Sequence, residues 1–538
     1  MAIDSELDHD IIVIGAGVCG IYALHCLLQK NLNITVLEAG SGPGGTWYWN
    51  RYPGCRFDSE SWSYGYSFSN EILNEWNWTE HFASQPETLK YLEFVVDKLN
   101  LKPHMQFDCK VKRCTWDENT RSWEVLLEDS RRLTTRFLMT AIGLLSAPTM
   151  PTIDGLEDFE GEAWHTYYWP GKKVEFTGKR VGVIGTGATG VQVIGELANK
   201  VKELTVFQRR PNWCAPLNNT KITPEEMDDI KARYDDIFDR CSQTPGGFIH
   251  GPRRTALEDV STEDRHAFWQ ELYNSPGFGI WLGNYRDVLT EHEANDEFSE
   301  WIGQKIRDRV DDPWTAEKLI PTDHGFGTRR VPMETNYYEA YNRDNVHLVC
   351  LRDTPIEKIT PKGIQTTAEE FEVDILVYAT GFDAITGSFD RIEFVGTDGQ
   401  TLRDKWINDP ITYLGVQTHG FPNLFTLAGP TAGSVSTNFP RGIETGVDWA
   451  VDLVQHILDH GITRVECSIE AETQWGDHVR DMYGLLLLRE AKSWFTGYNS
   501  NLTGEYKARH LLYWGGAPRY REHLVTVAEN YYEGFTFA

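Results

Sequence analysis

No C-x-x-C pair occurs among the nine cysteines of this chain, which are Cys19, Cys26, Cys55, Cys109, Cys114, Cys214, Cys241, Cys350 and Cys467. That absence argues against a redox dithiol and against zinc ligation at the usual spacing, so no metal site is expected. The number is odd and the spacing scattered, so free thiols in a reducing cytosol are the expectation. No apolar run approaches the roughly 20 residues of a membrane-crossing helix. Basic charge is scarce as well: 51 Lys and Arg stand against 79 Asp and Glu, a net charge of −28. Such a surface repels phosphate backbones and anionic bilayers, so neither nucleic acid nor membrane is an expected partner. An anionic ligand must be met locally, by arginines or helix N-termini. The first residues, MAIDSELDHD, are acidic and do not read as a leader peptide, which points to a cytoplasmic protein.

Glycine and large aromatics are plentiful instead. The 19 tryptophans suit apolar clefts and stacking on flat rings. A chain of 538 residues, at roughly 150 residues per domain, suggests about three or four domains.

Two glycine-rich turns carry the strongest signal. Residues 10–14 form a short apolar run, followed by Gly15, Gly17 and Gly20 and an apolar helical pattern to about Gln29. A second strand is predicted at Ile34–Leu37 and ends on Glu38, 18 positions after Gly20. Strand, G-x-G-x-x-G, helix and a distal acid form a dinucleotide-binding unit. The glycines admit a pyrophosphate to the helix N-terminus, and the acid takes a ribose 2′-hydroxyl. The alternative for Glu38 is a surface carboxylate.

The same pattern returns at residues 179–184, followed by Gly185, Thr186, Gly187, Ala188, Thr189 and Gly190. Here the next strand, residues 203–207, leads to Arg209 and Arg210, and Arg209 stands 19 positions after Gly190. Arginine at the ribose position pairs with a 2′-phosphate, where an acid prefers the free hydroxyl. The first fold should therefore bind FAD and the second NADPH. A solvated basic pair is the competing reading of Arg209 and Arg210.

Between the two turns lies FEGEAWHTYYWP, residues 159–170, with Phe159, Gly161, His165, Thr166, Trp169 and Pro170 in fixed register. Earlier come Gly44-Gly45-Thr46-Trp47, Tyr52-Pro53-Gly54 and Asp58. Together these resemble the type I Baeyer–Villiger monooxygenases, over nearly the whole chain from Asp10 onward. The resemblance implies an α/β architecture of two Rossmann-like dinucleotide-binding domains, for FAD and NADP, with a helical insertion. It also implies that NADPH reduces FAD, that a C4a-peroxyflavin forms with O₂, and that oxygen is inserted beside a ketone carbonyl to give an ester or lactone. Arg330 would be the fixed cation and Asp58 its holder, the two catalytic residues. Cofactor contacts carry over to Gly15, Gly17, Val18, Gly20, Glu38, Gly45, Thr46, Trp47, Arg56, Asp58, Tyr64 and Val111 in the first fold. In the second they carry over to Thr186, Gly187, Ala188, Thr189, Gly190, Gln192, Arg209, Arg210, Arg329 and Arg330, with Phe439 and Trp494 from the C-terminal part. Ketone and O₂ are the implied partners, in a monomer or homodimer.

Bland readings compete at several of these positions. Asp58 suits a helix N-cap, His165 a bond to one backbone group, Trp494 a core position, and Ser434, Ser436 and Thr437 ordinary caps. Two rival functions remain: an N- or S-oxidising flavin monooxygenase, in which Tyr usually stands where this chain has Trp169, and a non-catalytic NADPH/FAD-binding protein.

The expected layout is an FAD-binding part at 1–143, an NADP-binding domain at 144–214 and 321–375, a helical insertion at 215–320, and a second FAD-binding part at 376–538. The last part holds a substrate loop at 431–439, a helix beginning soon after Arg441, and a mobile stretch after Trp494. Residues 374–383 are expected to return the chain to the flavin domain. Ser84 to Glu87 reads as a capping box opening a helix to about Leu99, and helix starts are predicted at Thr223 and Ser261.

Overall fold

The computed structural model describes residues 7–502 and 506–538. An eight-stranded sheet forms the first fold, running Glu393–Val395, Val111–Asp117, Ser122–Leu127, Arg132–Thr140, His9–Ile14, Ile34–Leu37 and Met105–Gln106, with Leu424–Thr426 also paired to Arg132–Thr140. His9–Ile14 lies at its parallel centre, in register Ile11 to Ile34 on one side and Ile11 to Phe137 on the other. The helix Val18–Leu28 follows the first glycine turn. It is buried almost all round because the helix Phe439–Asp459 covers its outer side. On that covering helix Ile443, Val447, Ala450, Val454 and Ile457 recur every three or four residues, each at most 1% exposed. Burying each larger one contributes about 1.5–3 kcal/mol.

The second fold is a five-stranded, wholly parallel sheet, ordered Val346–Cys350, Glu203–Gln208, Arg180–Ile184, Ile375–Tyr378 and Glu162–His165. Parallel strands are covered on both faces, which accounts for their continuous apolar runs. Ile375–Tyr378 sits in the middle of this sheet, between Arg180–Ile184 and the edge strand. The expected boundary at 375/376 is therefore corrected: the chain leaves the second fold only after Tyr378.

The two glycine turns are built alike. A Cβ on Gly15 would lie 2.5 Å from the Ala141 carbonyl oxygen, and one on Gly185 would lie 2.4 Å from that of Ala379. One on Gly20 would lie 1.8 Å from Gly15 O, and one on Gly190 would lie 2.2 Å from Gly185 O. Helix and strand thus approach more closely than any side chain permits.

The insertion is helical, with Pro224–Ala232, Tyr234–Gln243, Thr262–Asn274, Gly279–Leu282, His292–Arg309 and Pro313–Leu319. Its first and third helices start as predicted: Thr223 Oγ1 accepts from Glu226 N at 3.2 Å and Ser261 Oγ from Asp264 N at 3.2 Å. A short parallel ribbon, Ala215–Pro216 with Met333–Glu334, ties its entry to its exit. Two local expectations change. The helix Gln85–Lys98 forms, but neither half of the capping box does: Ser84 makes no side-chain cap, and Glu87 accepts from Thr79 N and Oγ1 at 2.7 and 2.9 Å instead of reaching back to Ser84. The later helix begins at Phe439, before Arg441, since Pro440 fits a first turn that needs no backbone N–H there. Among the described residues, no helix is long and apolar enough to cross a membrane, and all nine cysteines are free.

Gly20→Ala is expected to destabilise by ~3 kcal/mol or more, whereas Gly187→Ala should stay within ~0.5 kcal/mol of the parent. A Cβ at Gly187 meets nothing within 4 Å. Thermal unfolding of the two variants decides this, and equal losses would contradict the packing account.

Candidate functional site

The first turn is fitted for a pyrophosphate. Gly17 caps the helix Val18–Leu28 without a side-chain bond, so the first-turn N–H groups of Val18 to Gly20 have no side-chain cap. Gly45, at φ 53°, lies over this turn: its Cβ would stand 2.7 Å from Gly17 Cα, and Gly44 N donates to Ala16 O at 2.9 Å. Only paired glycines allow that approach. Thr46 starts the short helix Thr46–Trp49, and Trp47 Nε1 donates to Tyr64 OH at 2.9 Å. Glu38 is 5% exposed; its Oε2 accepts from Ala16 N at 2.8 Å and its Oε1 from Gly40 N at 2.7 Å. Burial raises its pKa, and these bonds oppose the rise. It is thus no surface carboxylate. Val111 opens its strand near the same end, since Cys109 N donates to Glu38 O at 2.8 Å.

Two residues expected at cofactors also serve contacts between protein segments. Arg56 Nη1 donates to Glu80 Oε2 and to Phe82 O, both at 3.0 Å. Its own carbonyl accepts from Gln192 Nε2 at 2.9 Å, and Gln192 Oε1 accepts from Tyr52 OH at 2.8 Å. Arg56 and Gln192 therefore dock the second turn's helix onto the first fold.

The second turn opens into a cavity of about 610 Å³. Thr186, Gly187, Ala188 and Thr189 line it, with Arg209, Arg210, Arg329, Arg330 and Trp494. Gly190 lies behind the turn, where it packs on Gly185. Thr186 Oγ1 donates to Arg210 O at 3.0 Å, which ties the turn to the arginine-bearing strand end. Asp323 gathers three guanidiniums, Arg352 at 3.1 Å, Arg329 at 3.5 Å and Arg210 at 3.6 Å. The bond to His324, with these arginines, holds its carboxyl well below the usual range. Arg329 Nε is buried without a partner, and burial lowers the pKa of Arg209 and Arg329. A cluster of guanidiniums, one of them with a buried unmet donor, suits a phosphate-bearing ligand. Asp323 itself carried no sequence signal, because nothing in the chain marks one acid as the hub of arginines from three segments.

Arg330 and Asp58 meet across 272 residues of chain: Arg330 Nη1 donates to Asp58 Oδ2 at 2.5 Å. The same oxygen accepts from Met333 N at 3.1 Å, and Nη1 also donates to Val331 O at 2.9 Å. Asp58 is 3% exposed and its Oδ1 has no partner. It caps no helix. The Arg330 guanidinium carbon lies 5.4 Å from the centre of the Phe278 ring.

The aromatic stretch at 159–170 borders this cavity without lining it. Glu162–His165 is the edge strand of the second sheet. A Cβ on Gly161 would lie 2.6 Å from Asp374 O, so the strand enters against its neighbour. His165 Nε2 donates to Gly381 O at 3.2 Å, and its Nδ1 accepts from Tyr167 N at 3.1 Å. Tyr167 stacks on Trp49 of the first fold at 5.5 Å and 11°. Trp169 lies tilted against Trp164 at 5.4 Å. The stretch thus joins the edge of the second sheet, the turn after Tyr378 and the first fold.

In the loop before Phe439, Thr431 N donates to Leu511 O at 2.9 Å and Ser436 Oγ to Tyr513 O. Asn438 N donates to Gly246 O of the insertion at 2.7 Å. Ser434 Oγ and Asn438 Oδ1 are buried without partners, so Ser434 is no cap. Trp494 opens a single 3-10 turn, Trp494–Thr496, and faces the cavity with Lys492 and Tyr498. Asn499 Nδ2 donates to Phe382 O and Asn501 Nδ2 to Thr380 O, both at 2.9 Å, so this part of the stretch is tied to the turn after Tyr378. The remainder of the stretch expected to be mobile, residues 503–505, lies outside the described residues.

Burial holds the His165 pKa down, from the ordinary 6.5 to about 4. The unfolded chain therefore binds the proton more tightly, and His165 contributes stability that is complete above about pH 6.5 and lost as pH falls toward 4. That contribution is ~3 kcal/mol. In His165→Asn, urea midpoints should change less between pH 6.5 and pH 4 than in the parent; an unchanged slope would refute this account.

Residues 12–242 match the family model described as pyridine nucleotide-disulphide oxidoreductase. The 2-oxo-Δ3-4,5,5-trimethylcyclopentenylacetyl-CoA monooxygenase of Pseudomonas putida is 47% identical over 537 residues, 98% of each chain. A Baeyer–Villiger monooxygenase of Pseudooceanicola batsensis is 39% identical over 532 residues, 98% of this chain and 96% of that one. The crystal structure of OTEMO in complex with FAD and NADP superposes with a TM-score of 0.96 at 46% identity, covering 99% of this chain and 100% of that one. A redox dithiol is missing from this chain, so what it has in common with the disulphide oxidoreductases is the nucleotide-binding fold. With two nucleotide folds, the arginine–aspartate pair between them and full-length identity of this order, the chain belongs to the Baeyer–Villiger monooxygenases.

Proposed function

We propose that the Arg330–Asp58 pair is the catalytic core of this FAD-containing, NADPH- and O₂-dependent Baeyer–Villiger monooxygenase, which inserts oxygen beside a ketone carbonyl to give an ester or lactone. The observation that carries this reading is a guanidinium fixed by a buried carboxylate at the edge of an arginine-lined nucleotide cavity. The residues present fit both cofactors: an uncapped helix N-terminus under paired glycines for FAD, and arginines with an unmet donor for the 2′-phosphate of NADPH.

When bound and reduced by NADPH, FAD would supply the activation of O₂, one atom of which is inserted while the other leaves as water. The chain supplies binding, orientation and electrostatics. Glu38 accepts the ribose hydroxyl of FAD, while Gly15, Gly17, Val18, Gly20, Gly45 and Thr46 offer backbone to its pyrophosphate. Trp47, Tyr64 and Val111 complete the walls around it. Thr186 to Gly190 receive the pyrophosphate of NADPH, and Arg209, Arg210 and Arg329 its 2′-phosphate. Arg330 directs its remaining N–H donors at the oxygen that becomes negative during insertion. Asp58 holds it there. Phe439 and Trp494 close the cleft and keep water from the reacting atoms. His165 and Trp169 couple domain movement to the change from reduction to oxygenation. Four parts in five chain segments make up the domain plan, with the second fold extended through Tyr378. The enzyme is cytoplasmic, a monomer or homodimer, and takes neither nucleic acid nor membrane as partner.

An NADPH-consumption screen over cyclic, aryl and long-chain ketones, with products identified by mass, tests the activity; consumption without any oxygenated product would overturn it. Arg330→Ala should leave flavin reduction by NADPH intact and lower ester formation by about 100-fold or more. Full ester formation would remove the role given to Arg330. Arg209→Ala should cut the preference for NADPH over NADH by about 10–100-fold, the loss of one or two charge-assisted bonds. An unchanged preference would refute the reading of Arg209.

A further inference from the structure

Between Arg56 and Glu60, alternate side chains hold three different neighbours. Arg56 binds Glu80, Asp58 binds Arg330, and Glu60 reaches the helical insertion: His250 Nε2 lies 2.6 Å from Glu60 Oε1. Glu60 is 2% exposed and the His250 side chain 19% exposed. No other hydrogen-bond partner meets the carboxylate, and its Oε2 is buried and unmatched. A carboxylate this deep has lost its hydration, so its one contact, with His250, carries its placement.

The turn that carries Phe278 lies between the two groups. Gly277 takes φ 73°, and a Cβ there would stand 2.9 Å from Glu60 Oε1. A Cβ on Gly279 would stand 3.4 Å from His250 Nδ1. Glu60 and His250 thus bracket residues 277–279 from both ends, and the residue between the glycines presents its ring to Arg330. Phe248 packs edge-on against the same ring at 5.2 Å. The insertion, which showed no chemical pattern in the sequence, contributes the other side of the Arg330 environment.

We propose that Glu60 and His250 are a positioning pair that clamps the 277–279 turn, so that Phe278 seats the Arg330 guanidinium for oxygen insertion. Neither residue touches the nucleotide cavity, so the pair acts on oxygen transfer and not on hydride delivery. The proposal rests on the role given to Arg330 above.

Three variants test it in the FAD-loaded full chain. In His250→Phe, anaerobic reduction of the flavin by NADPH should stay within about twofold, while ester formed per NADPH oxidised falls by about tenfold, the scale of a small misplacement of a reacting group. His250→Gln retains a donor and should recover most of that yield. Glu60→Gln keeps the shape and removes the charge, which roughly halves the hydrogen bond and should lower the yield about threefold. A parental ester yield in His250→Phe overturns the proposal, and so does an equal loss in both half-reactions, which would mark a merely structural role. Should His250→Phe fail to fold with FAD, a parental yield in Glu60→Gln overturns it instead. Failure of the underlying reading is a separate result: the parent would form no ester, or Arg330→Ala would form it fully.

Discussion

The contact between Arg330 and Asp58 is the constraint on which the site depends, because it joins segments 272 residues apart in the chain. Asp58 is almost fully buried, and its charge is tolerable only because a guanidinium and the Met333 amide both donate to it. Pairs of this kind add little net stability, since the cost of removing two charges from water offsets their attraction. What the pair supplies is placement. Arginine rather than lysine suits that task, for it stays protonated and has donors to spare after one nitrogen is committed to Asp58.

Placement of one cation requires the two folds to keep a defined relation. The second turn's helix, Ala188–Leu197, provides it, because its Gln192 is bonded through both ends of the amide to Tyr52 and Arg56 of the first fold. Gly54 makes that approach possible: a Cβ there would stand 2.7 Å from Gln192 O. The helix that receives one nucleotide is thereby seated against the segment that leads to Asp58. The stacked pair Tyr167–Trp49 adds a second link between the same two folds. His165, bonded at both ring nitrogens and neutral above about pH 4, is fitted to transmit position and not charge.

Both nucleotide folds were legible in the sequence because their signals are local. A strand, three glycines, a helix and a residue about 20 positions on are set by backbone geometry within one unit. The contrast between Glu38 and Arg209 is local too. Expectations failed where a distant partner outweighed a local preference. Glu87 was expected to return to the Ser84 backbone but lies against Thr79. Residues 375–378 look like any buried strand, and only pairing with Arg180–Ile184 assigns them to the second sheet. Asp323, Glu60 and His250 were invisible for the same reason: each matters through partners that fold, not spacing, brings near. Arg56 and Gln192 sit in the expected cofactor segments and also join the two folds, through the Arg56 carbonyl and the Gln192 side chain.

The charge of the chain bears on its ligands differently at different ranges. At physiological salt a surface charge is screened over about 8 Å, so a net charge of −28 acts on anything that must lie along the whole surface. An extended polyanion would meet unfavourable charge along its length. A single phosphate-bearing ligand in the cavity at the second turn would meet Arg209, Arg210 and Arg329, two of which are paired with Asp323. Arginines gathered this closely would repel one another by several kcal/mol without an acid among them. Asp323 offsets that repulsion while leaving the cluster net positive, and Arg329 Nε still lacks a partner. An acidic protein can therefore keep a small, strongly cationic pocket, provided that one carboxylate holds the arginines together and is outnumbered by them.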